Sequence, residues 1–448
     1  MAPDINDALE RELGDLLAET AHLGGVDGAD GRGLPAGESW QFAWATGIEC
    51  SYPTIDDGRG GTLRRDMLEE CGHYARFEED FALVRDLGLR CLRYGLPYHR
   101  TSPARGRYDW SFADEAMAAL QKSGITPILD MLHFGLPDWL GTFDNPEFPA
   151  AFARYCGEVA RRYPWVRFFT AVNEIYVTAK FSGLDGAWNE RGTTDRAFVT
   201  ALKHLVAANK AACAAIVRER PDAVFVASET AEYTHDMSPV PSPGARLENE
   251  LKLASLDLLY GHQPSAPVAL YLLDNGMTRG ELDWFMRGEP PGHQIMGNDY
   301  YGRNETMRLP NGDVLQGEDV FGWYQITRLY YDRYAKPVMH TETNVLDADA
   351  APTWLWKQWA NVLRMRRDGV PVLGFTWYSL TDQIDWDVGL REKRGTVNPC
   401  GLYDLDRRPR PVAAAYRLLL ETYGQLSTIA NGEMFELTDR PARLKVHV

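Results

Sequence analysis

The sequence contains no HExxH, no GxSxG and no cysteine or histidine set at metal-ligand spacing, so the usual zinc-peptidase and serine-esterase motifs are excluded. Cysteine is scarce. Six occur in 448 residues, at Cys50, Cys71, Cys91, Cys156, Cys213 and Cys400, with no CxxC among them. Thiols scattered in this way read as reduced core residues of an intracellular protein. No run reaches the roughly 18 apolar residues of a membrane span. Positive charge is in deficit, with 47 Lys and Arg against 63 Asp and Glu, for a formal net charge of -16. That balance disfavours nucleic acid or an anionic membrane as the main partner, since both are recognised through basic surfaces. The first residues carry neither a positive n-region nor an apolar h-region, so no Sec signal is expected and the location expected is cytoplasmic.

What is present is a long alternation. Residues 1–37 form an expected extension: a helical leucine pattern at Leu9, Leu13, Leu16 and Leu17, then a glycine-rich linker. From residue 38 to 448 a single domain is expected. Apolar strand-like runs lie at 41–48, 90–96, 126–132, 168–172, 223–227, 294–301, 337–341 and 372–378. Helical patterns lie between and after them, at about 75–87, 112–123, 147–162, 196–219, 246–260, 321–334, 353–368 and 411–423. Pro149, Pro352 and Pro411 stand near helix starts, and Gly88, Gly124 and Gly369 follow helix ends. Strands with apolar residues on consecutive positions suit a parallel sheet buried on both faces. The expected fold is therefore α/β, a (β/α)8 TIM barrel with a short N-terminal extension. An open doubly wound sheet is the alternative, but the first strand runs into Gly47-Ile-Glu-Cys-Ser-Tyr rather than a glycine fingerprint.

In a barrel the strand ends converge on one face, where active sites are built. Polar residues collect at these ends: Glu49, Arg93, His133, the Asn173-Glu174 pair, Asp299 with Tyr301, Glu342, and the stretch from Trp377 to Asp382. Glu174 closes Thr170-Ala-Val-Asn-Glu-Ile, and Glu342 closes Val338-Met-His-Thr-Glu-Thr-Asn. Two carboxylates meeting across a cleft are the minimum equipment for hydrolysing a glycosidic bond. Alternatively, each could serve as one half of a buried ion pair.

These motifs resemble glycoside hydrolase family 1, the family of β-glucosidases and their relatives. Thr170-Ala-Val-Asn-Glu-Ile resembles its TxNEP motif, and His340-Thr-Glu-Thr-Asn its TENG motif. His133-Phe-Gly-Leu-Pro-Asp-Trp-Leu resembles HWDLPQWL, Cys91-Leu-Arg-Tyr-Gly resembles YRFS, and Gly297-Asn-Asp-Tyr-Tyr resembles GINYY. Thr376-Trp-Tyr-Ser-Leu-Thr-Asp-Gln-Ile-Asp-Trp resembles VWSLLDNFEW, with one extra residue. Gly401-Leu-Tyr-Asp-Leu-Asp and Arg410-Pro-Val resemble the closing GLYYVD and RxPK. The likeness spans about 40–420 in order. Departures fall at Ile175, where the family has proline, at Val345, where it has glycine, and in the first loop around Glu49.

The resemblance implies a retaining exo-β-glycosidase acting on a small glycoside or oligosaccharide through a covalent glycosyl-enzyme. Glu342 would be the nucleophile and Glu174 the acid/base, with the two carboxyl groups about 5–5.5 Å apart. Arg93 would support the nucleophile. His133, Asn173, Tyr301, Trp377, Asp385, Trp386 and Glu49 would contact substrate. No metal or cofactor is required, and a homo-oligomer is left open. A transglycosidase with the same carboxylates and a non-catalytic sugar-binding barrel are the alternatives.

Overall fold

Each of the eight apolar runs forms a strand. The computed structural model describes residues 40–240, 242–430 and 433–434, so the expectation for residues 1–37 lies outside them. The strands are β1 Ala43–Gly47, β2 Cys91–Gly95, β3 Thr126–Asp130, β4 Phe168–Thr170, β5 Val224–Thr230, β6 His293–Asp299, β7 Val338–Glu342 and β8 Val372–Trp377. They pair in chain order, all parallel, and β8 closes the ring on β1 through Gly374↔Ala43 and Phe375↔Trp44. This is the closed (β/α)8 barrel; the open sheet is ruled out.

Side chains alternate between lumen and helix layer because successive residues of a strand point to opposite faces. A small apolar cluster fills the lumen: Ala45, Cys91, Ile128, Val226, Ile295 and Met339 are among its members. Two residues further along the same faces come Arg93, Asp130 and Ser228, and four beyond Ile295 comes Asp299. The lumen is thus apolar at its base and polar toward the C-terminal strand ends.

The helices cover the outside. They are α1 His73–Asp86, α2 Ser111–Ser123, α3 Phe148–Arg162, α4 Ile175–Gly183, α5 Asp195–Glu219, α6 Pro243–Leu251, α7 Ala254–Tyr260, α8 Ala266–Asp274, α9 Arg279–Phe285, α10 Gly322–Tyr334, α11 Ala351–Arg367 and α12 Pro411–Tyr423. The single helix expected over 246–260 is two, α6 and α7; α4, α8 and α9 were not anticipated, nor were the single helical turns Met67–Glu70 and Tyr98–Thr101. α5 is long and alanine-rich, and Ala207, Ala208, Ala211 and Ala212 are fully buried, which lets it pack closely. α12 locks the seam: the Tyr416 hydroxyl donates to the Ala45 carbonyl (2.8 Å). All six cysteines are free and buried.

Candidate active site

The C-terminal strand ends open into a cavity of about 920 Å³. Glu174 and Glu342 both line it, as do Glu49, His133, Tyr301 and Trp386. Glu174 stands beyond β4, after Ala171, Val172 and Asn173, and caps the start of α4 with a left-handed backbone (φ 39°). A non-glycine residue in that region costs about 1–3 kcal/mol and persists only where its surroundings enforce it. Here the Glu174 N–H donates to the Ser228 carbonyl (2.9 Å), and its own carbonyl accepts from Thr178 N–H (2.9 Å). The chain turns from this short connection into the helix, and the side chain is delivered to the cavity.

Glu342 ends β7, 4% exposed, where it meets two donors. Arg93 Nη1 pairs with Oε1, and the Tyr301 hydroxyl donates to Oε2 (2.6 Å). The Arg93 guanidinium also donates from Nη2 to Asp130 Oδ2 (2.8 Å) and to Asn173 Oδ1. Asp130 Oδ2 accepts a further bond from His133 Nδ1 (2.9 Å), and His133 Nε2 then accepts from Asn173 Nδ2 (3.1 Å). Arg93, Asp130, Asn173, His133 and Glu342 thus form one buried network with a permanent cation at its centre. A buried charge requires such pairing.

Glu174 differs in kind. Its carboxyl oxygens make no hydrogen bond to protein among the described residues. Burial, then the nearby Asp299 and Glu342 charges, push it well above the ordinary carboxylate range. The two glutamates therefore sit in contrasting surroundings, one held by donors and one without them.

Glu49, also buried, accepts from the Ser51 N–H (2.9 Å) and from Gln383 Nε2 (2.9 Å). Its pKa is raised, chiefly by burial. Trp386 forms part of the wall, and Arg303 lies over both its ring (5.9 Å) and that of Tyr301 (5.3 Å). On the other side α4 presents Tyr176, Val177 and Phe181, with Leu184 following. Cys50, Asp130 and His133 place a sulfur, an oxygen and a nitrogen within 4.8 Å of one another, a possible donor set for a metal. Arg93 already neutralises that Asp130, so the set reads as part of the ion-pair network.

Comparison with known proteins bears on this arrangement. The pattern of Glycosyl hydrolase family 1 matches residues 61–244. The aryl-phospho-β-D-glucosidase BglC of Bacillus subtilis is 23% identical over 389 residues, covering 72% of this chain and 80% of that protein. The 6-phospho-β-glucosidase AscB of Escherichia coli is 21% identical over 406 residues, covering 81% and 84%. A Thermotoga maritima β-glucosidase structure superposes with a TM-score of 0.72 at 18% identity, over 87% of this chain and 99% of that one. The chain is similar to glycosyl hydrolase family 1, at low identity throughout.

At this site three sequence expectations change. Trp377 is not a stacking platform: it is fully buried and its indole N–H donates to the Cys400 carbonyl (2.9 Å). Tyr378 faces the cavity instead, and a Cβ on Gly47 would lie 2.3 Å from its ring, so only glycine fits there. Asp385 does not reach the sugar site. Its left-handed backbone (φ 58°) turns the carboxylate onto Arg65 Nη2 (3.0 Å) and the N–H groups of Arg394, Gly395 and Thr396 (2.9, 3.0 and 2.7 Å). Asn173, fully buried, does not line the cavity; its amide is taken up by Arg93 and His133.

Tyr378, Gln383, Asp130 and the apolar face of α4 were missed. Gln383 was legible, since it stands in the same motif as Asp385. Asp130 gave a signal too, as a carboxylate three residues before His133 inside an apolar strand.

Proposed function

We propose that this enzyme is a retaining exo-β-glycosidase, with one catalytic domain from residue 38 onward. The observation that carries the reading is the contrast between its two cavity glutamates. Glu342 has Arg93 and Tyr301 as donors, which favour an ionised nucleophile. Glu174 is buried without a donor, which favours a carboxylic acid. Glu342 attacks the anomeric carbon while Glu174 gives its proton to the leaving oxygen. The aglycone departs as an alcohol, and the sugar remains as an ester on Glu342. Glu174, now a carboxylate, takes a proton from water as that water attacks the same carbon. The ester breaks, and both glutamates return to their starting states.

His133, Glu49, Tyr378 and Trp386 line the sugar end of the cavity in this reading, and Asn173 positions His133. The apolar face of α4 suits an aryl or other flat apolar aglycone. BglC is named for an aryl-phospho-glucoside and AscB for a 6-phospho-glucoside. A panel of aryl β-glycosides, each with and without a 6-phosphate, identifies the sugar. A cytoplasmic location agrees with six free buried thiols, and no described helix is long and apolar enough to cross a membrane.

The decisive test is Glu342→Ala. Turnover should vanish and return with azide as an external nucleophile. A 2-fluoro glycoside should add its sugar mass to Glu342 in the wild type. Full activity in the variant, or label on another residue, would refute the assignment. Added alcohol acceptors distinguish hydrolysis from transglycosylation, and absence of label with every sugar would favour a binding protein.

A further inference from the structure

A third carboxylate stands beside the reacting pair. Asp299 ends β6, fully buried, directly across the β6–β7 pairing from Glu342. The Ser228 hydroxyl lies 2.9 and 2.7 Å from its two carboxylate oxygens. Ser228 is also the residue whose carbonyl accepts the Glu174 N–H (2.9 Å), so one residue of β5 braces both acids. In the motif Gly297-Asn-Asp-Tyr-Tyr, aligned with GINYY, Asp299 occupies the place of the family's asparagine. A neutral side chain in the pattern is an acid in this chain.

We propose that Asp299 is a positioning residue for the acid proton: carrying a negative charge on β6 beside Glu342, it keeps Glu174 in its protonated form. The inference rests on Glu174 being the acid of the reaction proposed above.

The reasoning starts from charge. Glu49, Asp130, Glu174, Asp299 and Glu342 lie in or just beneath the cavity floor, and Arg93 is the one permanent cation bonded to any of them among the described residues, Arg303, Lys180, Lys252 and Arg391 standing elsewhere on the cavity wall. They cannot all be ionised. Glu342 and Asp130 are paired with Arg93, so the uncompensated charge is divided among the others. Burial, then the Glu342 charge, push Asp299 up well above the ordinary carboxylate range, while Arg93 opposes the rise. Glu174 is pushed up first by burial, then by Asp299, Glu342 and Glu229, with His133 opposing.

Hydrogen bonding decides which of Glu174 and Asp299 ionises first. Asp299 has the Ser228 hydroxyl and the nearby guanidinium; Glu174 has no donor among the described residues. Asp299 is therefore the first of the two to ionise, which leaves the proton on Glu174. With asparagine at 299 that repulsion is gone, and Glu174 gives up its proton at lower pH.

Asp299→Asn restores the residue of the family pattern, so the fold has a native precedent for it, and the amide oxygen still accepts from Ser228. The first measurement needs no turnover: 13C NMR titration of glutamate-labelled protein, with Glu174→Gln to assign the signal. The Glu174 midpoint should fall by about one pH unit or more in the variant. The second is the pH profile of kcat/KM. For a phenyl β-glycoside, whose departure needs an acid, the alkaline limb should move down by the same amount. For the 2,4-dinitrophenyl glycoside, which leaves unaided, it should stay in place. An unmoved Glu174 midpoint overturns the inference whatever the kinetics show. A moved midpoint, with Glu174→Ala still fully active on the phenyl glycoside, instead overturns the assignment of Glu174 as the acid.

Discussion

At the scale of single residues, a slip of one position separates Trp377 from Tyr378. Side chains on a strand alternate faces, so a one-residue shift exchanges cavity for core. The resembling motif has one residue fewer at its start, and the sequence offered no means of deciding which aromatic takes the cavity. The structure supplies the cause: the β7–β8 register is irregular between Val338 and Met339, so the end of β8 does not continue its earlier alternation. Tyr378→Ala should raise KM by about tenfold or more while leaving thermal unfolding little changed, as loss of one aromatic contact predicts. Trp377→Phe should do the reverse. It orphans the Cys400 carbonyl and leaves a small void, costing about 2–4 kcal/mol in urea unfolding with KM unaltered. Tyr301→Phe removes a hydrogen bond to the charged Glu342. About 1.5–3 kcal/mol of it acts at the nucleophile, so kcat/KM should fall by about 10- to 100-fold.

Among the elements, the barrel strands were the most legible, because each is a continuous apolar run buried on two sides. The helices were legible where a proline or glycine marked an end, as Pro149 and Gly124 do for α3 and α2. α4 was hidden because it starts within a few residues of β4, with no side-chain cap to announce it. α6 and α7 were merged because the break at Lys252 and Leu253 keeps near-helical backbone angles and carries neither glycine nor proline. Asp385 was misread for a related reason: its place in the motif is correct, but the backbone conformation that turns it away leaves no mark in the sequence. It organises the loop through Thr396 instead. Asp385→Asn should keep much of that loop, whereas Asp385→Ala should cost about 2–4 kcal/mol through the three abandoned N–H groups, read as a lower urea midpoint.

Over the whole molecule, acid sensitivity follows from a buried imidazole. His340 lies in β7 against the Trp323 ring, at 4.5 Å and nearly parallel, and its Nδ1 has no side-chain hydrogen-bond partner among the described residues. Burial pulls its pKa down to about 3. The unfolded chain, with an ordinary histidine near 6.5, therefore binds a proton that the folded chain refuses between those values. The stability contributed by keeping this ring neutral is complete above about pH 6.5 and is lost as pH falls toward 3. His340→Gln should flatten that part of the stability-versus-pH curve, whatever it does to stability at neutral pH. A parallel curve displaced at every pH would show that other groups govern acid unfolding.

The Arg93 network has a consequence over the catalytic cycle. In the proposed reaction Glu342 becomes a neutral ester halfway through each turnover, so the guanidinium loses one of its two counter-ions at that moment. Asp130 remains, fixed at 2.8 Å on the other arm. The cation is never stranded in a dry interior, and the covalent intermediate forms without any group having to move in to balance it. Asp130 is thus a standing reserve of charge, and its loss should be felt most in the lifetime of the glycosyl-enzyme.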